Sequence, residues 1–157
     1  MTKGKRNQKG AETEVRTFTV PFTLGEIKEK IYLSTNDISK TAKEKIINEA
    51  FKLHAQGKIR EATKYYEYFI NQGFLDPLVF SNYGVILKDS GKLEEAELLL
   101  RKAIELNPNF TNAYSNLGNI LKDSGKLEEA ELSTRKAIEL NPNYAKAHSN
   151  LGAILSK

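Results

Sequence analysis

Apolar and small residues recur along most of this 157-residue chain at intervals of 34 positions. The recurring residues are Leu53, Leu87, Leu121 and Leu155; Gly57, Gly91 and Gly125; Gly84, Gly118 and Gly152; and Ala62, Ala96 and Ala130. Residues 77–110 and 111–144 are identical at 25 of 34 positions, whereas residues 43–76 match 77–110 at only 7. A fixed period of this length is typical of proteins built from stacked supersecondary units.

Within each unit, two apolar stripes at helical spacing predict two helices. In the third unit the first stripe is Tyr114, Leu117, Gly118 and Leu121, and the second is Leu127, Ala130, Ala137 and Ile138. Gly125 follows the first stripe as a helix cap, and Pro142 follows the second because proline cannot continue a helix. Each unit is therefore predicted to be a helical hairpin, in which the small Gly118 and Ala130 let the two backbones approach closely.

These residues resemble the pattern of the tetratricopeptide repeat (TPR) family, which is a large residue, Leu-Gly, an aliphatic, Ala, an aromatic or aliphatic, Ala and Pro. The third unit holds Tyr114, Leu117, Gly118, Leu121, Ala130, Thr134, Ala137 and Pro142 there, and the second holds Phe80, Tyr83, Gly84, Leu87, Ala96, Leu100, Ala103 and Pro108. Thr134 departs from the pattern, which predicts looser local packing. The first unit departs most, and its second helix is expected to pack the aromatic residues Tyr65, Tyr66, Tyr68 and Phe69 together.

The resemblance implies an all-α TPR superhelical solenoid of three helical hairpins plus a terminal helix. The hairpins are predicted over 43–76, 77–110 and 111–144, and the terminal helix lies in a partial unit, 145–157. Residues 1–42 fall outside the period and are expected to form a basic, extended leader that is largely disordered.

The net charge of +4 equals that of residues 1–10 alone, at the start of the leader, which contain four cations and no acid. These cations are Lys3, Lys5, Arg6 and Lys9. Residues 11–157 carry equal numbers of each sign, so the sequence does not imply a basic face that follows a phosphate backbone. We therefore expect no nucleic-acid partner. The alternative, nucleic-acid binding through the basic leader, predicts salt-sensitive binding that is lost when residues 1–10 are deleted.

The composition excludes several kinds of chemistry. With no Cys and two His, the chain has no thiolate metal site or thiol nucleophile and little with which to build a zinc or haem centre. His148 takes the position of Phe80 and Tyr114, which predicts that it packs in the core. No phosphate-binding glycine motif, secretory signal or apolar run of membrane-spanning length occurs. We expect a cytoplasmic protein that is not an enzyme and has no cofactor, metal or membrane partner.

An asparagine recurs at the same position in the first helix of every unit. These four residues, Asn48, Asn82, Asn116 and Asn150, are called the asparagine row. Asparagine costs about half a kcal/mol relative to alanine inside a helix, so something is expected to offset its repeated use. An amide both donates and accepts hydrogen bonds and could therefore bind successive peptide groups of an extended ligand. The row resembles the asparagine ladder in the TPR arm of O-linked N-acetylglucosamine transferases; the alternative is that each amide bonds within its own helix.

The functional prediction is a protein-interaction scaffold that binds an extended protein or peptide segment in a concave groove lined by the first helices. Further groove candidates near the asparagine row are Ser81, Ser115, Val85, Asn119, Lys88 and Lys122. Chaperone-binding TPR domains carry a lysine at the position of Ser81 and Ser115, so the resemblance disfavours chaperone-tail binding. The alternative function is the N-terminal targeting arm of a multidomain bacterial transferase, of glycosyl- or sulfotransferase type. The apolar side of the terminal helix also leaves weak self-association open.

Overall fold

The computed structural model describes residues 40–156, which form seven helices and no strand. In chain order these are α1 (Lys40–Ala55), α2 (Ile59–Asn71), α3 (Pro77–Asp89), α4 (Leu93–Leu106), α5 (Thr111–Asp123), α6 (Leu127–Leu140) and α7 (Ala145–Leu155). The prediction of an all-α solenoid with three hairpins and a terminal helix is confirmed. Except for its last three residues, the predicted leader lies outside the described part of the chain.

The helices stack in the order of the sequence. α1 pairs with α2, α3 with α4 and α5 with α6, and each hairpin also packs against the next. Helices α3, α5 and α7 contact one another in succession. We call α1, α3, α5 and α7 the first helices and α2, α4 and α6 the second helices; the solenoid therefore has one face formed by each set.

Local sequence signals set the ends of these helices. Gly91 and Gly125 follow first helices with φ of 78° and 77°, a left-handed conformation that glycine adopts without a side-chain clash. Asp76 caps α3 by accepting from the backbone N–H groups of Leu78 and Val79, and Pro77 follows at the first helical position. Helix formation in the regular units is therefore encoded locally.

The apolar stripes pack into two adjoining core clusters. The cluster of the first repeat centres on Tyr66, which is fully buried and stacks on Tyr83 with ring centroids 6.1 Å apart. Phe69 is also buried, as predicted, whereas Tyr65 and Tyr68 lie at the margin of the cluster. The rings around Tyr66 come instead from other helices, and they are those of Phe51, His54 and Tyr83.

The close approach of α5 and α6 predicted at Gly118 is confirmed, and α3 and α4 approach in the same way at Gly84. A Cβ added to Gly118 would collide with Thr134 Oγ1 and lie 3.1 Å from the carbonyl oxygen of Ala130. Thr134 is itself fully buried and donates to that same carbonyl oxygen at 2.8 Å. The predicted loosening at Thr134 is therefore wrong: its hydroxyl fills the space beside Gly118 and finds its partner in its own helix.

Candidate functional site

The asparagine row lies on the first helices, which the hairpin stacking brings side by side. Asn48 is exposed, and the other three are half-buried between neighbouring repeats. Each of these three forms a hydrogen bond with a different repeat, and none bonds within its own helix. The alternative that each amide bonds within its own helix therefore does not hold for these three residues, which link neighbouring repeats.

At the C-terminal end, α7 is bonded to α5 through two members of the row. Asn150 Nδ2 donates to both the carbonyl oxygen and the Oγ of Ser115, each at 3.1 Å. Asn116 Oδ1 accepts from Lys146 Nζ at 2.7 Å. The Oδ1 atom of Asn150 and the Nδ2 group of Asn116 make no bond within the described residues, so each amide keeps one group for a ligand.

At the N-terminal end, Asn82 bonds to the hydroxyl of Tyr66 on α2. His54 Nδ1 lies 2.9 Å from the same hydroxyl. Burial raises the pKa of Tyr66, and the bond from Asn82 partly opposes this rise. If the amide donates to the phenol oxygen, the phenol proton is left for His54 Nδ1 in the tautomer whose Nδ1 accepts. This network makes Asn82 a positioning residue of the core, although its amide oxygen is still unused.

Two sequence-predicted groove residues are not available to a ligand. Ser81 is 2% exposed and Ser115 is 0% exposed, because both lie on the side of their helices that faces the next first helix. Ser115 instead accepts the bond from Asn150. The prediction that these two side chains contact a ligand is corrected accordingly. Val85 and Asn119, one turn further along, are half-buried and border the asparagine row.

Charged groups collect near the ends of α3 and α5. Lys88 Nζ lies 3.3 Å from Asp89 and 4.0 Å from Asp123 of the next repeat. Lys122 Nζ lies 3.5 Å from Asp123. The two predicted lysines are thus on one surface, and each is accompanied by a carboxylate.

Lys146 is a third cation of this surface, which the sequence analysis did not identify. Burial of its ammonium group lowers the pKa of Lys146, the positive charge of Lys88 lowers it further, and Asp89 opposes the change. Its position in the repeat carries Leu78 in the second unit and Asn112 in the third, so the period gave no signal for a cation. The Lys146–Asn116 bond therefore places a charge directly on the asparagine row.

The position of His148 also differs from expectation. Its side chain is exposed, and its Nε2 lies 2.7 Å from the carbonyl oxygen of Pro142. Phe80 and Tyr114 pack at this position because a second helix follows α3 and α5, whereas residues 40–156 contain no helix after α7. Gly152 accordingly has no atom near its missing Cβ, and Leu155 is 59% exposed.

The side chains described above offer hydrogen-bonding groups and paired charges. Among residues 40–156, no three or more carboxylate and imidazole groups gather as metal ligands. In the same part of the chain, every helix is too short or too polar to cross a membrane. The first-helix face therefore presents amide groups of the asparagine row together with charges of both signs near the ends of α3 and α5.

A TPR repeat family model matches residues 84–125 and 118–157. The solved first TPR of Spaghetti (RPAP3), bound to an HSP90 peptide, has a TM-score of 0.69 and 27% identity, covering 75% of this chain and 94% of that one. The second TPR domain of human RPAP3, in complex with an HSP70 peptide, has a TM-score of 0.64 and 25% identity, covering 71% and 93%.

The Thermobaculum terrenum O-GlcNAc transferase is also similar, with a TM-score of 0.69 and 26% identity, covering 76% of this chain but 23% of the transferase. No curated protein sequence matches this chain. Residues 84–157 therefore consist of tetratricopeptide repeats, and residues 40–156 share the stacked hairpins of these solved TPR domains.

Proposed function

We propose that this chain is an interaction scaffold that binds an extended segment of a partner protein along the face of its first helices. The observation that carries the proposal is the spare hydrogen-bonding capacity of the asparagine row. The side chain of Asn48 makes no hydrogen bond within residues 40–156, and Asn116 and Asn150 each use only part of their amide. Repeats of equal length place such groups at regular spacing, which suits the repeating backbone of an extended peptide.

The peptide complexes of similar TPR domains support this function. The two RPAP3 domains hold chaperone-derived peptides, and they share the hairpin stacking of this chain. In this chain, however, the two serines that replace a clamp lysine are buried. A free carboxylate would meet Lys146, whose ammonium group already donates to Asn116 Oδ1, and the cations Lys88 and Lys122 already have carboxylates beside them. We therefore infer a polar segment without strong net charge and expect the HSP90 peptide SRMEEVD to bind weakly.

The experiment selects random heptapeptides displayed on phage against the full chain and then measures the affinity of individual synthetic peptides. We expect Asn48→Ala and Asn116→Ala each to weaken the selected peptides by tenfold or more, because each removes an amide that bonds the ligand backbone. The matched control is Asn109→Ala, an exposed amide in the loop between α4 and α5. Asn82 and Asn150 are left intact because they bond the buried Tyr66 and Ser115, whereas the partner of Asn116 is the exposed Lys146.

Circular dichroism of the same variants separates ligand binding from folding. Both variants are expected to keep the helical content of the parent chain. If the selected peptides bind equally well to Asn48→Ala, Asn116→Ala and the control, the role assigned to the asparagine row is wrong. If selection yields no peptide that binds the full chain, the scaffold proposal itself fails.

The second candidate function is a targeting arm of a larger transferase. It is favoured by the similarity to the O-GlcNAc transferase, of which this chain covers 23%. Reading the gene beyond Lys157 tests it: an open frame that continues into a large α/β domain supports the arm, and a stop codon refutes it. Reproducible glycosyl- or sulfotransferase turnover by the purified chain would contradict the binding-only function.

A further inference from the structure

A crevice lies on the opposite face of the solenoid, where α2 and α4 meet above α3. It has a volume of about 300 Å³ and a mainly apolar lining, to which Ile70, Leu98 and Leu99 contribute. Two carboxylates, Glu67 of α2 and Glu95 of α4, also border it. The proposed peptide groove uses none of these residues.

The equivalent position at the next junction, between α4 and α6, is occupied by charged side chains that pair with one another. There, Arg101 of α4 extends to α6, and its guanidinium lies 2.8 Å from Glu129 Oε2. The same guanidinium bonds Glu97, which also pairs with Lys126 at 2.9 Å. Two cations and two carboxylates thus close the junction between α4 and α6.

The repeat period places an acid where that arginine is expected. Position 67 is 34 residues before Arg101, and Glu95 is 34 residues before Glu129. The junction between α2 and α4 therefore has a carboxylate on both helices and no arginine between them. Its charges are only partly compensated, since Tyr83 Oη donates to Glu67 at 2.8 Å and Lys92 Nζ lies 3.4 Å from Glu95.

Both carboxylates lie close to the same hydroxyl. Burial raises the pKa of Tyr83 most, the bond to Glu67 adds to the rise, and the negative charge of Glu95 adds further. The crevice thus combines apolar walls with negative potential. This combination suits a guanidinium on an apolar stem better than a compact, strongly hydrated ammonium group.

We propose that this crevice binds an arginine side chain from a basic segment of a partner protein, in the place that Arg101 takes one repeat later. The aliphatic part of the arginine lies against Ile70 and Leu98, and its guanidinium reaches Glu67 and Glu95. This second site on the face of the second helices is independent of the peptide groove and could be engaged at the same time.

The test uses a fluorescein-labelled peptide, acetyl-Gly-Leu-Arg-Leu-Gly-amide, titrated with the full chain at low salt and followed by fluorescence anisotropy. A matched peptide carries citrulline in place of arginine and so keeps the shape without the charge. We expect the arginine peptide to bind at least tenfold more tightly than the citrulline peptide. Equal affinities, or no binding at millimolar protein, would overturn the proposal.

The decisive variant is Glu67→Arg, which restores the residue type that the repeat has at Arg101. We expect it to bridge to Glu95, to raise the melting temperature slightly and to weaken the arginine peptide at least tenfold. The control Glu128→Arg makes the same charge change at an exposed site on α6 and is expected to alter affinity less than twofold. A similar loss in both variants would indicate a non-specific charge effect and refute the crevice as the site.

Methyl NMR locates the bound peptide by comparing two leucines at the same repeat position. Leu98 lines the crevice and is 69% exposed, whereas Leu132, in the next repeat, is 70% exposed. Addition of the arginine peptide is expected to shift the methyl signals of Leu98 and not those of Leu132. Equal shifts would show that the peptide does not select the crevice.

Two other occupants are distinguished by further measurements on the full chain. If the chain's own leader filled the crevice, replacing its four cations by alanine would strengthen peptide binding at least tenfold. These cations are Lys3, Lys5, Arg6 and Lys9. If a second copy filled it, sedimentation equilibrium would show a dimer that Glu67→Arg dissociates. Either result would overturn the assignment to a partner protein, and an unchanged affinity together with a monomer supports it.

Discussion

Gly118 offers a quantitative test of the helix packing, because the α5–α6 hairpin leaves no room for a side chain there. In Gly118→Ala the new Cβ would overlap Thr134 Oγ1 and lie 3.1 Å from the Ala130 carbonyl oxygen. Thr134 can move its hydroxyl only by giving up the 2.8 Å bond to that oxygen. The clash with the backbone oxygen is relieved only if the two helices separate slightly.

The expected free-energy change is the difference between a packing cost and a propensity gain. Overpacking a tight site costs about 1–3 kcal/mol, and loss of the Thr134 hydrogen bond costs about 1 kcal/mol. Alanine is favoured over glycine inside a helix by about 1 kcal/mol. We therefore expect Gly118→Ala to lower the free energy of unfolding by about 1–3 kcal/mol, and Gly118→Leu to lower it by more.

Gly152 is the matched control, because it has the same position in α7 with no atom within 4 Å of an added Cβ. Gly152→Ala should therefore raise stability by up to about 1 kcal/mol through helix propensity alone. Gly84→Ala should fall between the two, since its Cβ would lie 3.2 Å from Leu100 Cγ, which can shift slightly. The three substitutions are chemically identical, so their order depends on the packing.

Urea unfolding followed by far-UV circular dichroism measures these differences, with melting temperature as a second readout at about 4 °C per kcal/mol. The double variant Gly118→Ala/Thr134→Ala should recover part of the loss, because it removes the colliding hydroxyl. The packing described here is refuted if Gly118→Ala is as stable as the parent chain. It is also refuted if Gly152→Ala costs as much as Gly118→Ala.

Two pH-dependent properties should respond to the charges on the solenoid. The charge of Lys88 lowers the pKa of Lys146, so Lys88→Met should raise the pKa of Lys146, whereas Lys122→Met should leave it unchanged. NMR titration of the lysine side chains measures both effects. Equal effects of the two substitutions would contradict the role of Lys88. A lysine with a lowered pKa destabilises the fold while it is protonated, so its effect fades as pH rises from the folded pKa towards the unfolded one. The bond to Lys126 is the main cause that lowers the pKa of Glu97 in the folded chain. The ionised Glu97 therefore stabilises the fold above its unfolded pKa near 4.5, and this stabilisation is lost as the pH falls through the folded pKa. Between pH 7 and pH 3 the free energy of unfolding, measured with urea, should therefore fall less in Glu97→Gln than in the parent chain, by a difference of less than about 1 kcal/mol. An equal fall in both proteins would disprove the effect.

The asparagine row illustrates how far sequence reasoning can reach. The period identified the four residues and placed them on one face, because helical spacing converts sequence position directly into direction. Their partners could not be predicted in the same way. The bond from Asn150 to Ser115 joins residues 35 apart, and its formation depends on the distance between neighbouring repeats.

The burial of two groove candidates, Ser81 and Ser115, could not be predicted for the same reason, since it depends on neighbouring repeats. Ser81 and Ser115 each precede a member of the asparagine row in the sequence, but both are buried in the stacked repeats. Lys146 was missed because its importance arises from Lys88 and Asn116, which belong to other repeats. Side chains at a junction between repeats take their environment from two units at once, and a pattern within one unit does not contain it.

The sequence by itself determined the helices, their pairing into hairpins and the residues of the core. These follow from spacings of three and four residues, from glycine and proline at helix ends, and from small residues where backbones meet, all of which act over short distances along the chain. Only the tertiary structure decided that His148 is exposed, that Thr134 seals the α5–α6 hairpin, and that Glu67 faces Glu95 across an open crevice. These features depend on which surfaces the stacked repeats cover, because burial and charge pairing are properties of neighbours in space rather than in sequence.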